Sequence, residues 1–144
     1  MSSLRRDPLL AERIERLRTV PGVGPITALT WALEMGEISR FRSIRHAISY
    51  CGLCGDQRSS AEKSIRTPLS KQRNKNIQFV LIEAAKLAPR HDHDLASLYA
   101  REKQKGNANQ ATLAVARKLV VYLMAVDRGQ RDFVPTEDRS KAAA

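Results

Sequence analysis

Aromatic side chains are scarce in this sequence, with Phe, Trp and Tyr making up 5% of its 144 residues. A sheet-rich core draws heavily on aromatic and β-branched residues, so the scarcity argues for a helical core. Long apolar runs are missing as well. No uninterrupted stretch reaches the roughly eighteen residues that a membrane span needs, and the start, MSSLRRDPLLAERIERL, is too charged for a secretory leader. The expectation is a cytoplasmic protein with no membrane contact. Cysteine is confined to Cys51 and Cys54 in a C-x-x-C pair. A thioredoxin-type redox site needs a βαβ context that is absent here, and a zinc site would need two more ligands from His46, His91 or His93 at unhelpful spacings. The pair is therefore read as two small side chains packed at a helix end, and no metal site is assigned in this chain.

Acidic residues are the other shortage. Lys and Arg number 25 against 15 Asp and Glu, a net charge of +10, which predicts attraction to a polyanion, nucleic acid first. The excess is concentrated. Between Ile38 and Asn76 stand Arg40, Arg42, Arg45, Arg58, Lys63, Arg66, Lys71, Arg73 and Lys75 against Asp56 and Glu62, so that nine minus two, or +7, lies in about a quarter of the chain. A scattered solubilising surface would not be so uneven.

Length and patterning point to one all-α domain. Leu9, Leu10, Ile14 and Leu17 are spaced for one face of a first helix, within an N-terminal segment 1–18 that leads from a linker. Pro21 stops that helix, and Pro25 suits the first position of a second, ITALTWALEMG, which Gly36 ends. Ser39 and Ser43 offer caps before SIRHAISYCG, a short helix ended by Gly52. Periodicity is lost from Leu53 to Ser70, an irregular loop. It returns in LSKQRNKNIQFVLIEAAKLA, with Ser70 as a candidate N-cap and Pro89 as the stop. Asp92 or Asp94 can cap DLASLYAREKQK, which Gly106 terminates, and Asn107 or Asn109 opens ATLAVARKLVVYLMAVDRG. The main helical domain is placed at 19–128 and a disordered tail at 129–144.

The break TVPGVGPITA is the feature that a plain helical bundle does not require. Glycines between two helices let the chain reverse and bare successive backbone N–H groups at a helix start, which suits a phosphate. Pro21-Gly22-Val23-Gly24, with Leu17 and Val20 before it and Ile26, Ala28 and Leu29 behind, resembles the helix-hairpin-helix motif of non-specific DNA-binding proteins. That resemblance makes Gly22, Val23 and Gly24 candidate DNA-backbone contacts. A turn that merely connects packed helices is the alternative. Contacts of this kind position a protein without reading sequence.

Five pieces in one order carry a further resemblance: TVPGVGPITAL, GEISRF, AISYCGLCGDQRSS, RTPLSKQRNKNIQFVLIEAAK and ATLAVARKLVVYLMA. Together, from about Arg18 to Val126, they resemble the C-terminal domain of bacterial insertion-sequence transposases of the DEDD type, the IS-one-ten group. The resemblance implies a compact helical domain with a helix-hairpin-helix-like motif and an irregular loop bearing a nucleophilic serine. It also implies an N-terminal RNase H-like domain with four metal-binding acids, which is not represented in these residues. The serine stretch is Asp56-Gln57-Arg58-Ser59-Ser60-Ala61. The family's common Ser-Gly aligns with Ser60-Ala61, making Ser60 the candidate nucleophile and Ser59 the next, with Ala61 a departure from the pattern.

A serine attacking a phosphodiester needs its proton removed and the phosphate's charge neutralised. Arg58, Lys63, Arg66, Lys71, Arg73 and Lys75 are the candidate DNA-contacting cations, and none is a convincing base. By the resemblance, the remedy is a divalent metal such as Mg held by the acidic domain; this chain itself has no cofactor. His91-Asp92-His93-Asp94 has metal-ligand chemistry, but an Asp N-cap explains it more plainly. The implied role is DNA strand cleavage and rejoining in transposition through a phosphoserine link, inactive in this chain alone. The implied partners are DNA, a structured guide RNA and further copies of the full-length protein. Two other readings stay open: a free-standing, non-catalytic nucleic-acid-binding module or transposon remnant, and a protein-interaction domain whose basic face meets an acidic partner. Leu113, Val115, Ala116, Leu119, Val120, Leu123 and Met124 form an apolar face for the core or a dimer contact, and Trp31 is read as buried beside the hairpin. Phe41 and Tyr50 are read as packing residues, with stacking on bases the alternative.

Overall fold

The computed structural model describes residues 8–53 and 68–135, with the backbone alone described for 68–75. The fold is all-α, as the composition implies. Among the described residues the helices are α1 (Pro8–Leu17), α2 (Pro25–Met35), α3 (Ile44–Tyr50), α4 (Pro68–Leu87), α5 (His93–Lys105) and α6 (Ala108–Gly129), with 3-10 turns at Ile38–Arg40 and Ala88–Arg90.

Local chemistry sets most of the boundaries. Pro25 occupies the first turn of α2, where its missing N–H costs nothing, and Gly36 leaves the other end at φ +60°. Ser43 caps α3 by accepting from His46 N, and Gly52 turns the chain away at φ +74°. Asp92 accepts from Leu95 N at 3.1 Å and Asn107 accepts from Gln110 N at 2.8 Å, capping α5 and α6. Ser70 does not cap α4, because that helix already begins at Pro68, a residue tolerated in a first turn. Its far end also differs from the expected stop at Pro89: the α-helix ends at Leu87 and the chain tightens into Ala88–Arg90.

The last helix is the centre of the core. Ala111, Ala114, Val115, Ala116, Leu119, Val120, Tyr122, Leu123, Met124 and Val126 are all buried along α6. The other helices lie around it, with α1, α3, α4 and α5 in contact with it and α2 held between α1 and α4. Leu17, Val20, Trp31, Met35, Leu53, Ile77, Leu81 and Leu95 close the cluster from these sides. The face anticipated for a core or a dimer contact is core: Val115, Leu119, Val120 and Leu123 have no exposure, and only Leu113 is partly covered. Fully burying each such side chain contributes about 2 kcal/mol, so α6 anchors the fold.

Beyond α6, Gln130 adopts a left-handed turn at φ +51° and the chain doubles back. Phe133 packs on Tyr122 with ring centroids 4.8 Å apart, and its N–H donates to Thr19 Oγ1 at 2.7 Å. Residues 130–135 of the segment read as a disordered tail thus form a strap from α6 to the turn after α1; residues 136–144 lie outside the described residues.

Candidate nucleic-acid interface

The turn between α1 and α2 is built from the chain outward. Thr19 N and Val20 N donate to Arg16 O and Leu17 O at 3.1 Å each, and Val23 N donates to Val20 O at 3.1 Å. The Thr19 hydroxyl donates to Arg16 O at 2.6 Å while accepting from the strap. Val20 and Val23 are buried and pin the turn to the core. Gly22 sits at φ +80° against the end of α4, and a Cβ there would lie 2.7 Å from Ala88 Cβ and 2.8 Å from Ala84 O. Only glycine meets both demands.

Gly24 is different. It is extended, at φ −96° and ψ −173°, and a Cβ would meet nothing within 4 Å. It is the N-cap of α2, yet no side chain caps the helix and no acid lies in the first turn. The first bond into the helix is Ala28 N to Gly24 O at 3.0 Å, which leaves the N–H groups of Ile26 and Thr27 without an acceptor among the described residues. Among the described residues none accepts from Gly24 N–H either. Of the three hairpin residues singled out in the sequence, Val23 has its amide already bonded, Gly22 serves close packing, and Gly24 opens the bare end.

A cleft of about 670 Å³ runs beside this turn, lined by Arg18–Gly24 on one side, His91–Asp94 and Leu87 on the other, and Phe133 and Pro135 from the strap. Asp92 is engaged as the α5 cap, and among the described residues no group of three His, Cys, Asp or Glu side chains is arranged to hold a metal ion. The capping reading of His91-Asp92-His93-Asp94 accounts for its geometry.

The opposite end of α2 is closed by Arg13 and Asp127, to which the sequence reading gave no role, together with Trp31, Arg40 and Tyr50. Arg13 makes a two-pronged pair with Asp127, Nε to Oδ1 at 2.9 Å and Nη2 to Oδ2 at 2.8 Å, and Nη2 also reaches Gly36 O at 2.7 Å. Trp31 Nε1 donates to the same Asp127 Oδ2 at 2.9 Å. Trp31 is buried as expected, but its polar atom is answered by α6 at the end of α2 away from the hairpin rather than beside it. Arg40 Nε donates to Met35 O at 2.9 Å and Nη2 to Glu34 O at 3.2 Å, while Tyr50 Oη donates to Glu34 O at 3.0 Å. The signal was in the sequence: Asp127 falls one helical turn beyond Leu123 on an apolar face, and Arg13 falls among Leu9, Leu10, Ile14 and Leu17. A charge on a buried face has a partner.

Phe41 is 2% exposed and packs edge-on against Tyr50 at 5.3 Å, so it is a packing residue. Cys51 is buried with its Sγ 3.8 Å from Met35 Sδ, and burial pushes its thiol up to about 12. Such a thiol is neither a ready nucleophile nor a metal ligand; Cys54 lies outside the described residues. The chain beyond Cys51 is pinned as well: Gln78 Nε2 donates to Gly52 O at 2.9 Å and Arg117 Nη1 to Leu53 O at 3.3 Å. The Asp56–Ala61 stretch with Ser59 and Ser60 lies outside the described residues, as do Arg58, Lys63 and Arg66. Lys71, Arg73 and Lys75 fall on α4, with their side chains outside the description.

Comparison with known proteins adds a family. The model described as "Transposase IS116/IS110/IS902 family" matches residues 14–100. The transposase for insertion sequence element IS1111A of Coxiella burnetii is 32% identical over 111 residues, covering 74% of this chain and 30% of that protein. The putative transposase y4qE of Sinorhizobium fredii is 32% identical over 129 residues, covering 87% of this chain and 33% of that protein. The transposase for insertion sequence element IS1328 of Yersinia enterocolitica is 34% identical over 76 residues, covering 53% of this chain and 23% of that protein. The chain spans about a third or less of the length of these relatives. No solved structure matches it.

Proposed function

Because this chain belongs to the IS116/IS110/IS902 transposase family, we propose that it is the DNA-binding and serine-bearing helical part of a transposase, acting in strand cleavage and rejoining. The observation that carries the binding half is the start of α2. A helix N-terminus attracts anions through its unpaired N–H groups and its dipole, and here no side chain or acid in the first turn competes for them. The turn that presents it is rigidly backed by Gly22 against α4 and by the Phe133 strap. A DNA phosphate meeting the Gly24 side of the hairpin gives the protein its position on the duplex without reading bases.

The chemical half rests on the family resemblance. In this reading the Ser60 hydroxyl, or Ser59 in its place, forms the new O–P bond to a phosphodiester while the sugar oxygen leaves, and Ser Oγ gives up its proton as the leaving oxygen gains one. Arg58, Lys63, Arg66, Lys71, Arg73 and Lys75 offset the charge of the attacked and neighbouring phosphates. A divalent metal such as Mg, carried by an RNase H-like domain, would supply the remaining charge stabilisation. The described residues offer no site that fits it, and this chain's own part is to hold the DNA and the serine. On this reading the chain alone binds DNA and does not cleave it; a structured guide RNA and assembly with further copies belong to the longer protein.

Binding of the purified chain to labelled duplex DNA and structured RNA across a salt series tests the first half. Affinity falls steeply with salt because phosphate contacts release counterions, and absence of binding at low salt contradicts the reading. With an RNase H-like domain supplied, Ser60→Ala abolishes a covalent protein–DNA adduct and leaves duplex binding intact. A surviving adduct moves the nucleophile to Ser59. Binding with no adduct under any condition favours the non-catalytic module.

A further inference from the structure

A second charged surface lies at the other end of α2, at the corner between the 3-10 turn and α3. From Ile38 to Leu53 the sequence has Arg40, Arg42 and Arg45 and no Asp or Glu. Arg40 is the fixed member. Its guanidinium carbon lies 4.8 Å from the ring centroids of both Phe41 and Tyr50, and its nitrogens hold Met35 O and Glu34 O. The backbone beside it is held too, because Arg128 Nη2 donates to Phe41 O at 2.7 Å. Arg42 and Arg45 project from this fixed corner. Both are exposed, and neither has an ion pair or hydrogen bond from its side chain to a described residue.

Surface cations near acids usually find them: Arg18, Lys86 and Lys105 each pair with a glutamate on their own helical turn. At the corner Glu37 stands just before the 3-10 turn, yet neither Arg42 nor Arg45 pairs with it. The corner's cations are arginines, whose planar forks suit phosphate oxygens and are weakly hydrated. They stand on a scaffold that does not have to be ordered on binding, which lowers the entropic cost. Position adds a second argument. α3 has seven residues and, at about 1.5 Å per residue, spans about 10 Å, or about three base steps of a nucleic-acid strand. It runs from the corner to Cys51–Leu53, where Gln78 and Arg117 hold the chain just before the serine-bearing stretch.

We infer that Arg42 and Arg45 form a second contact to the nucleic-acid backbone, separate from the Gly24 hairpin and about three base steps from the pinned chain at Cys51–Leu53, which precedes the serine stretch in the sequence. This rests on the nucleic-acid-binding reading above and adds a surface to it. The contact is to phosphates and is blind to sequence.

The test compares the purified chain with Arg42→Gln/Arg45→Gln for binding to a labelled duplex between 50 and 200 mM salt, using Lys103→Gln/Lys105→Gln on α5 as the control for net charge. Losing two phosphate contacts lowers the salt slope by about 1.8, so the wild-type advantage over the corner variant shrinks about tenfold across that range. The control variant keeps a slope near that of the wild type, and both variants melt as the wild type does. If the wild type binds and the corner variant matches it in slope and affinity, the corner contact is wrong and the hairpin reading stands. If the control loses as much as the corner variant, the charge acts diffusely and the assignment is overturned. If the corner variant loses binding to polyglutamate as steeply as to DNA, the corner belongs to an acidic protein partner. If the wild type does not bind nucleic acid at all, the hairpin reading and this inference fall together.

Discussion

The two ends of α2 follow opposite rules. At its C-terminal end the carbonyls of Glu34, Met35 and Gly36 accept from Arg40, Tyr50 and Arg13, and Arg13 and Trp31 meet Asp127 beneath them. Cations cover the negative end of the dipole, and the last three carbonyls there all have partners. At the N-terminal end Gly24 brings no side chain, Pro25 no N–H, and the first turn no acid. Stability alone favours capping both ends. On the proposed reading, the bare end on its packed turn takes its cap from outside the chain.

Four substitutions sharpen that contrast. Asp127→Ala, at the closed end, takes the carboxylate from the Arg13 fork, which keeps only Gly36 O, and leaves Trp31 Nε1 without an acceptor in a largely buried place. It costs about 3 kcal/mol, measured by denaturant unfolding. A loss below about 1 kcal/mol would mean that the closed end is not the fold's polar anchor. Gly22→Ala forces a side chain into a left-handed backbone and against Ala84 O and Ala88. The expected loss is about 2 kcal/mol or more, with Gly24→Ala below about 1 kcal/mol as its counterpart. Equal losses at the two glycines would erase the distinction between a packing glycine and an open one. Tyr50→Phe removes one of two donors to Glu34 O and keeps the ring under Arg40. Thermal melting should register about 0.5–1 kcal/mol, and no DNA-binding change accompanies it.

Features fixed by a few neighbouring residues were legible in the sequence. Pro25, Gly36, Ser43, Gly52, Asp92, Gly106 and Asn107 mark helix ends because capping and left-handed turns depend on local backbone chemistry. The all-α fold and an apolar face on α6 followed from composition and period, while its place in the core rather than at a dimer contact came from the fold. Ser70 misled because a proline two residues earlier can itself occupy the first turn of α4. The Arg13–Asp127 pair joins residues 114 positions apart, and no window-based reading brings them together. Phe133 likewise fell within the segment read as a disordered tail because its partners, Tyr122 and Thr19, lie on other elements. At the candidate site the glycine turn was legible as a turn, while the division of labour between Gly22 and Gly24 depends on Ala84 and Ala88, which only the fold brings near.

Gly24→Asp is the most direct test of the central claim. The backbone at Gly24 already has N-cap geometry. An aspartate there supplies the missing cap and a negative charge at the positive end of the helix. The account predicts a chain that is more stable by about 0.5–1 kcal/mol and binds duplex DNA more weakly at every salt concentration, because the new carboxylate occupies the donors meant for a phosphate. A stabilised Gly24→Asp chain that binds DNA as tightly as the wild type would contradict it.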